Sequence, residues 1–133
     1  TNVDAVAAGA NITAIDDGTT ALSGTVNLTP GSTFSAPVSL VGVSAAATLC
    51  GWIDFNRDEV FSFSERACAV DPVAGATSAT ITWTVPSDVG VGVTYARFRL
   101  SYETITIPTG KLASGEVEDY SLVLPSQTIP SAL

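Results

Sequence analysis

Histidine is missing from this 133-residue chain, and positively charged residues are scarce. Without histidine, the chain cannot by itself supply a Ser-His-Asp triad, a Cys-His pair or a histidine-ligated zinc or haem. Only 5 basic residues stand against 13 acidic ones, which gives a formal net charge of −8. So few cations cannot neutralise a row of phosphates, and we therefore expect no nucleic-acid partner. No apolar run approaches the ~20 residues that span a bilayer, so we expect no direct membrane insertion.

Hydrophobic side chains recur at every second position, which is the period of a half-buried β-strand and not of a helix. The alternation is clear over residues 79–85, 93–102 and 116–124, and a short stretch over 104–107 shares it. Weaker strand patterns cover residues 21–28, 34–43, 46–54 and 66–70. Turn residues separate these segments, so the sequence predicts an all-β fold, an antiparallel β-sandwich of jelly-roll or immunoglobulin-like type with about seven to nine strands.

The chain is long enough for one domain, which we place over residues 1–124. Residues 125–133 have the proline- and serine-containing composition of a linker, so we expect a linker-like tail there. The chain has a single lysine and an abundance of Thr, Ser, Ala, Val and Gly. This composition resembles that of exported bacterial surface modules. We therefore expect an extracellular or cell-surface location and neighbouring domains in the same protein.

An acidic segment from Asp54 to Glu65 carries oxygen-bearing side chains at its first, third, fifth, ninth and twelfth positions. This is the spacing of an EF-hand-type calcium loop, in which alternate side chains turn inward to surround the ion. The predicted cofactor is Ca²⁺, and the predicted ligands are Asp54, Asn56, Asp58, the backbone carbonyl of Val60, and Glu65.

The sixth loop position holds Glu59, where the calcium motif has glycine. That position makes a sharp turn, often with a positive φ that a side chain disfavours. The alternative interpretation is therefore a solvated acidic hairpin tip that binds no ion.

The only two cysteines flank the acidic segment. Cys50 lies four residues before Asp54, and Cys68 lies three residues after Glu65. If the segment forms the tip of a hairpin, the two cysteines face each other and a disulfide would close its base. The alternative is a pair of reduced, buried thiols.

Three motifs occur in order along the chain: GWIDFN over residues 51–56, TYARFRLS over 94–101 and GEVEDY over 115–120. Together they resemble the GEVED domain of bacterial cell-surface and secreted proteins. The resemblance implies a β-sandwich module of large, often adhesin-like, multi-domain proteins, with a structural or adhesive role. It implies no enzymatic activity.

Glu116 and Glu118 lie on one side of the last predicted strand, and Arg97 and Arg99 have the same two-residue spacing. The arginines and glutamates could form cross-strand ion pairs, or Glu116, Glu118 or Asp119 could complete the calcium shell; the two interpretations are compatible. A catalytic pair of carboxylates is the third possibility, but the chain offers few other acid–base groups, so we do not expect an enzyme.

Carbohydrate binding is the alternative function. An aromatic platform for sugar, as in a lectin-like adhesin, would draw on Trp52, Trp83, Tyr95, Tyr102 and Tyr120. The expected partners are accordingly a cell-surface or matrix protein, a glycan receptor, or the neighbouring domains.

Overall fold

Eight strands and one 3₁₀ turn make up the regular structure in the computed structural model, which describes residues 4–6, 14–15, 25–109 and 116–125. The strands are β1 (Asp4–Val6), β2 (Ala14–Ile15), β3 (Thr33–Val41), β4 (Thr48–Ile53), β5 (Arg66–Cys68), β6 (Ser78–Thr84), β7 (Gly92–Ser101) and β8 (Glu116–Leu124). The 3₁₀ turn is Phe63–Glu65.

Two antiparallel sheets result, one with the order β1-β8-β7-β4-β5 and the other with the order β2-β3-β6. The predicted all-β, two-sheet architecture is therefore confirmed. In the described ranges no helix has the length and hydrophobicity that a membrane-spanning helix requires.

A row of aromatic rings joins the two sheets through the core. Trp83 of β6 lies 6.1 Å from Phe34 of β3 and 6.0 Å from Phe98 of β7, measured between ring centroids. Phe98 in turn meets the ring of Tyr120 of β8 edge-on at 5.5 Å. Edge-to-face contacts of this kind stabilise the fold by more than the area they bury. The alternation predicted for these strands has therefore placed large aromatic residues where they meet in the core.

Both faces of β4 are covered. Leu49 and Ile53 face the core between the sheets. Cys50 and Trp52 face the other way and are equally buried, because Ile105 and Phe61 pack over them.

The strand predicted over residues 104–107 is wrong: this segment is irregular and lies on the outer face of the five-stranded sheet. Ile105 is 1% exposed and packs over Cys50 and Trp52, whereas Ile107 is 56% exposed. Carbonyl groups of this segment accept hydrogen bonds from arginine side chains of the sheet, where a strand would bond to a neighbouring strand. The donors are Arg66, Arg97 and Arg99, and the acceptors are the carbonyls of Ile105, Ile107, Pro108 and Thr109.

The N-terminal third also differs from expectation. Within the strand predicted over 21–28, Thr25 forms an isolated bridge to Val123, and residues 21–24 lie outside the described part. β1 and β2 were not predicted, because two or three residues are too short to show a period. Most of the predicted tail, residues 126–133, lies outside the described residues.

Candidate metal site in the acidic loop

The acidic loop begins where β4 ends, and β7 fixes its first residue from the side. The backbone N–H of Asp54 donates to the carbonyl of Tyr95 at 3.0 Å. The hydroxyl of Thr94 donates to the carbonyl of Asp54 at 2.6 Å. Because both backbone groups of Asp54 are held, its carboxylate is directed into the loop, where the residue is only 3% exposed.

The carboxylate of Asp54 accepts hydrogen bonds from the residues that follow it in the loop. Its two oxygens accept the backbone N–H groups of Asp58, at 3.2 Å, and of Glu59, at 2.9 Å. Asp58 in turn accepts the N–H of Val60 at 3.0 Å, and the side-chain oxygen of Asn56 accepts the N–H of Asp58 at 3.3 Å. These short-range bonds favour a turn over an extended strand.

Two residues of this turn have left-handed backbone conformations. Arg57 has a φ of 58° and Glu59 a φ of 66°. The second is the position at which the calcium motif carries glycine, so the loop follows the predicted sharp path although a glutamate occupies it. A left-handed conformation costs a residue with a Cβ about 1–2 kcal/mol.

Glu65 closes the loop from its other end. One of its carboxylate oxygens accepts the N–H of Ser62 and the other that of Phe55, both at 3.0 Å. Its own carbonyl accepts the indole N–H of Trp83 at 3.1 Å. Glu65 is 4% exposed, and its side chain therefore joins the beginning of the loop to the 3₁₀ turn at its end.

Three carboxylates converge as a result. Asp54, Asp58 and Glu65 each bring an oxygen to within 4.8 Å of the others. Burial raises the pKa of Asp54 above its ordinary value, and the neighbouring Asp58 raises it further. Burial also raises the pKa of Glu65, with the charges of Asp54 and Asp58 adding to the shift. Backbone N–H bonds lower both pKa values without reversing these shifts, so the cluster favours either a proton or a cation.

The donor set suits a hard divalent cation. All three side chains offer carboxylate oxygens, which Ca²⁺ and Mg²⁺ prefer, and no cysteine thiolate is available because both cysteines are oxidised. Each carboxylate oxygen has two lone pairs, so it can accept a backbone N–H and still bind an ion. Asn56 lies beside Asp58, with its amide nitrogen 3.5 Å from a carboxylate oxygen. The roles of Asn56 and of the Val60 carbonyl as ligands stay predictions.

Glu118 lies elsewhere. It is on the core face of β8, opposite Phe98, and its carboxylate accepts the hydroxyl of Tyr120 at 2.6 Å. It is 2% exposed and does not belong to the group of three carboxylates. Glu116 lies opposite Leu100 in the register, and its side chain is outside the described part.

The predicted pairing of Arg97 with Glu116 or Glu118 is wrong. The register of β7 and β8 places Arg97 opposite Asp119 and Arg99 opposite Val117. Arg97 therefore forms its ion pair with Asp119, on the outer face of the sheet. The prediction failed because a shift of one residue in the register exchanges the two faces of a strand.

The predicted disulfide is confirmed. Cys50 and Cys68 are bonded, and they lie directly opposite each other in the pairing of β4 with β5. The bond joins the two strands that enter and leave the acidic loop. It therefore closes the base of the loop, while the carboxylates converge nearer its tip.

A cavity of about 460 Å³ opens beside the cluster, between the acidic loop and β7. Its lining residues are Asp54, Arg57, Glu59, Phe61, Val93, Thr94 and Tyr95. Sequence reasoning missed the cavity, because its two walls are some 40 residues apart in the chain. It also missed Thr94, because a hydrogen bond from its hydroxyl to the backbone carbonyl of Asp54 corresponds to no sequence motif.

Comparison with known proteins supports one assignment. The sequence model of the GEVED domain matches residues 48–123, more than half of the chain and the part that contains the loop, the disulfide, β4 to β7 and nearly all of β8. No curated protein matches.

A solved structure of a family 123 glycoside hydrolase from Clostridium perfringens, described in connection with glycolipid glycan hydrolysis, is similar over 98% of this chain. The TM-score is 0.49 and the sequence identity 11%, and the chain spans 28% of that enzyme. A likeness at this level is too remote to bear on function.

Proposed function

The chain belongs to the GEVED domain family, and we propose that it is a calcium-stabilised β-sandwich module of a bacterial cell-surface or secreted protein, with a structural or adhesive role. The observation that carries the proposal is the convergence of Asp54, Asp58 and Glu65 within one loop. Two of these acids are almost fully buried in a chain of formal net charge −8. A divalent cation would neutralise them and complete the turn.

Calcium and the disulfide would act on the same element. The Cys50–Cys68 bond closes the base of the loop, and an ion held by Asp54 and Glu65 would close the part nearer the tip. Stable disulfides belong to oxidising compartments, and outside the cell calcium is available at concentrations that suit sites of modest affinity. The two restraints together favour a module that becomes rigid only after export.

A rigid module suits a spacer or a ligand-presenting domain. The partners proposed for it are neighbouring domains of the same protein and a protein or glycan receptor on a cell surface or matrix. In this role the ion stabilises the fold and takes no part in chemical catalysis.

The test is thermal unfolding of oxidised protein that has been stripped of metal and then titrated with Ca²⁺ or, in parallel, Mg²⁺. We expect the melting temperature to rise with Ca²⁺ and to saturate, because a ligand that binds only the folded state stabilises it by RT ln(1 + [L]/Kd). Mg²⁺ should act more weakly, since it demands a smaller, octahedral shell.

Asp58→Asn is the decisive variant, because Asp58 is exposed and its loss should leave the metal-free fold intact. It should abolish or strongly weaken the response to calcium, as should Glu65→Gln. Asp88→Asn removes an exposed acid outside the cluster and should respond like the unaltered protein. No shift of the unaltered protein at millimolar calcium would overturn the proposal.

A further inference from the structure

The cavity beside the acidic loop has the size and form of a ligand site. Its volume of about 460 Å³ lies within the range of about 300–1,000 Å³ that small-molecule sites occupy. One wall is the acidic loop and the other is the start of β7, so a β-strand and a hydrogen-bonded loop hold its shape.

Tyr95 supplies an exposed aromatic surface at this cavity. It projects from the outer face of β7 and is 52% exposed. Of the other aromatic residues that the sequence offers for a sugar platform, Trp52, Trp83 and Tyr120 are at most 6% exposed, and Tyr102 is half-buried and does not line the cavity. Phe61 lines the cavity as well, and its ring lies under the guanidinium of Arg97 at 5.7 Å. An aromatic face of this kind binds the apolar C–H face of a sugar ring.

Arg57 supplies hydrogen-bond donors in a fixed orientation. Its Nε donates to the carbonyl of Val93 at 2.9 Å. A Cβ added to Gly90 or Gly92 would lie 3.1–3.2 Å from the arginine side chain, so the two glycines make room for it. Its terminal nitrogens make no hydrogen bond with the described residues, whereas those of Arg66, Arg97 and Arg99 are engaged.

The charges of the lining residues indicate the class of ligand. The exposed Glu59 offers a carboxylate acceptor in the same lining as the donors of Arg57, and the buried acid Asp54 borders the cavity. The two acids would repel an anionic ligand, and the arginine would repel a cationic one. A neutral molecule with many hydroxyl groups satisfies both, because each hydroxyl donates and accepts.

We propose that this cavity binds a neutral saccharide, with one sugar ring stacked on Tyr95 and its hydroxyl groups bonded to Arg57 and Glu59. The inference rests on the adhesive role of the proposed function, for which it names the ligand class. It does not rest on the calcium role, since the donors, acceptors and aromatic face all come from the protein. Asp54 borders both the cavity and the carboxylate cluster, so calcium would stiffen one wall without being part of the recognition.

The test is binding of a panel of neutral oligosaccharides of glucose, galactose, mannose, xylose and N-acetylglucosamine to calcium-saturated protein. Titration calorimetry and NMR of the tyrosine ring resonances serve as the two readouts. We expect at least one saccharide to bind and to shift the Tyr95 ring signals. Tyr95→Ala should weaken this binding about tenfold or more, and Tyr95→Phe should retain most of it because the stacking face is kept.

Two further variants define the site. Arg57→Met keeps the aliphatic packing on the glycines but removes the donors, so it should weaken binding. The loss of its exposed bond to the Val93 carbonyl should lower the melting temperature by only a few degrees. Phe63→Ala removes an aromatic side chain that is 72% exposed and lies outside the cavity, and it should bind like the unaltered protein.

A blank panel at millimolar saccharide would overturn the inference, and so would binding that survives Tyr95→Ala and Arg57→Met. The calcium-dependent melt is measured separately on the same samples. A protein that responds to calcium but binds no saccharide would therefore reject the saccharide site alone, and the reverse result would reject the calcium role alone.

Discussion

Arg97 binds both carboxylate oxygens of Asp119 across the junction of β7 and β8, with nitrogen–oxygen distances of 2.6 and 2.8 Å. The third nitrogen of the guanidinium donates to the carbonyl of Pro108 at 3.2 Å. One side chain thus joins the TYARFRLS motif, the GEVEDY motif and the segment that covers the outer face of the sheet. The hydrogen bonds to Asp119, together with its negative charge, also raise the pKa of Arg97.

Asp119→Asn should lower the free energy of unfolding by about 1–2 kcal/mol. Hydrogen bonds to charged groups contribute about 1.5–3 kcal/mol, and we expect less than the full range because both side chains are about one quarter exposed. Urea denaturation at neutral pH measures the change. Asp88→Asn is the matched control, and we expect it to alter the free energy of unfolding by less than about 0.5 kcal/mol.

A double-mutant cycle with Arg97→Met separates the ion pair from the other bonds of Arg97. The coupling energy between positions 97 and 119 should be favourable and should fall at high salt. A coupling energy near zero would mean that the arginine acts through the covering segment alone.

Gly51→Ala tests why the GWIDFN motif begins with glycine. A Cβ at this position would lie 2.8 Å from a ring carbon of Trp83, closer than atoms pack. The indole cannot withdraw easily, because its N–H is bonded to the carbonyl of Glu65. We therefore expect a loss of about 1–3 kcal/mol in the free energy of unfolding, the usual cost of overpacking.

Adding Trp83→Phe should recover part of the loss caused by Gly51→Ala, because the smaller ring vacates the space that the methyl group needs. Trp83→Phe alone is the control for the cavity that the exchange creates. If the double variant is destabilised by the sum of the two single effects, the close approach of Gly51 to the indole is not the cause.

The features that the sequence predicted correctly are local. The spacing from Asp54 to Glu65 brings its acids together because a short loop has few ways to curl, and Cys50 and Cys68 pair because they flank that loop almost symmetrically. The long alternating strands were equally clear, since each shows its period without reference to its neighbours.

The features that the sequence could not predict depend on register and on packing between distant segments. The partner of Arg97 is set by the alignment of β7 with β8, which brings Asp119 and not Glu118 opposite it. Ile105 and Ile107 alternate with threonines as in a strand, but Ile105 fills a space over Trp52 that only the folded sheet creates. The cavity at Tyr95 likewise forms only when the acidic loop packs beside β7 in the folded protein.

Glu59→Gly should stabilise the acidic loop. Glu59 has a φ of 66°, which costs a residue with a Cβ about 1–2 kcal/mol, while glycine adds about 0.5–1 kcal/mol of unfolded-state entropy. The net gain in the free energy of unfolding should be about 0.5–1 kcal/mol, measured by urea denaturation with and without calcium. Glu59→Ala removes the same charge but keeps the strain, and it should show no comparable gain. Equal gains in the two variants would assign the effect to charge.

The pH dependence that Asp54 and Glu65 give to the free energy of unfolding should change sign when calcium is added. In metal-free protein, burial holds the pKa values of Asp54 and Glu65 above their ordinary values of 3.8 and 4.5. Between the ordinary and the raised values the folded state binds more protons than the unfolded state. The contribution of these two acids to the free energy of unfolding therefore falls as the pH rises through that window.

Calcium binds the ionised carboxylates, so its contribution is present above the raised pKa values and is lost as the pH falls through them. Urea denaturation across about pH 4 to 7, on dialysed protein with and without saturating calcium, measures both slopes. The variant carrying both Asp54→Asn and Glu65→Gln should lose the difference between the two conditions, because carboxylates outside the cluster contribute equally to both. Parallel curves for the unaltered protein with and without calcium would show that the cluster prefers a proton to the ion at every pH tested.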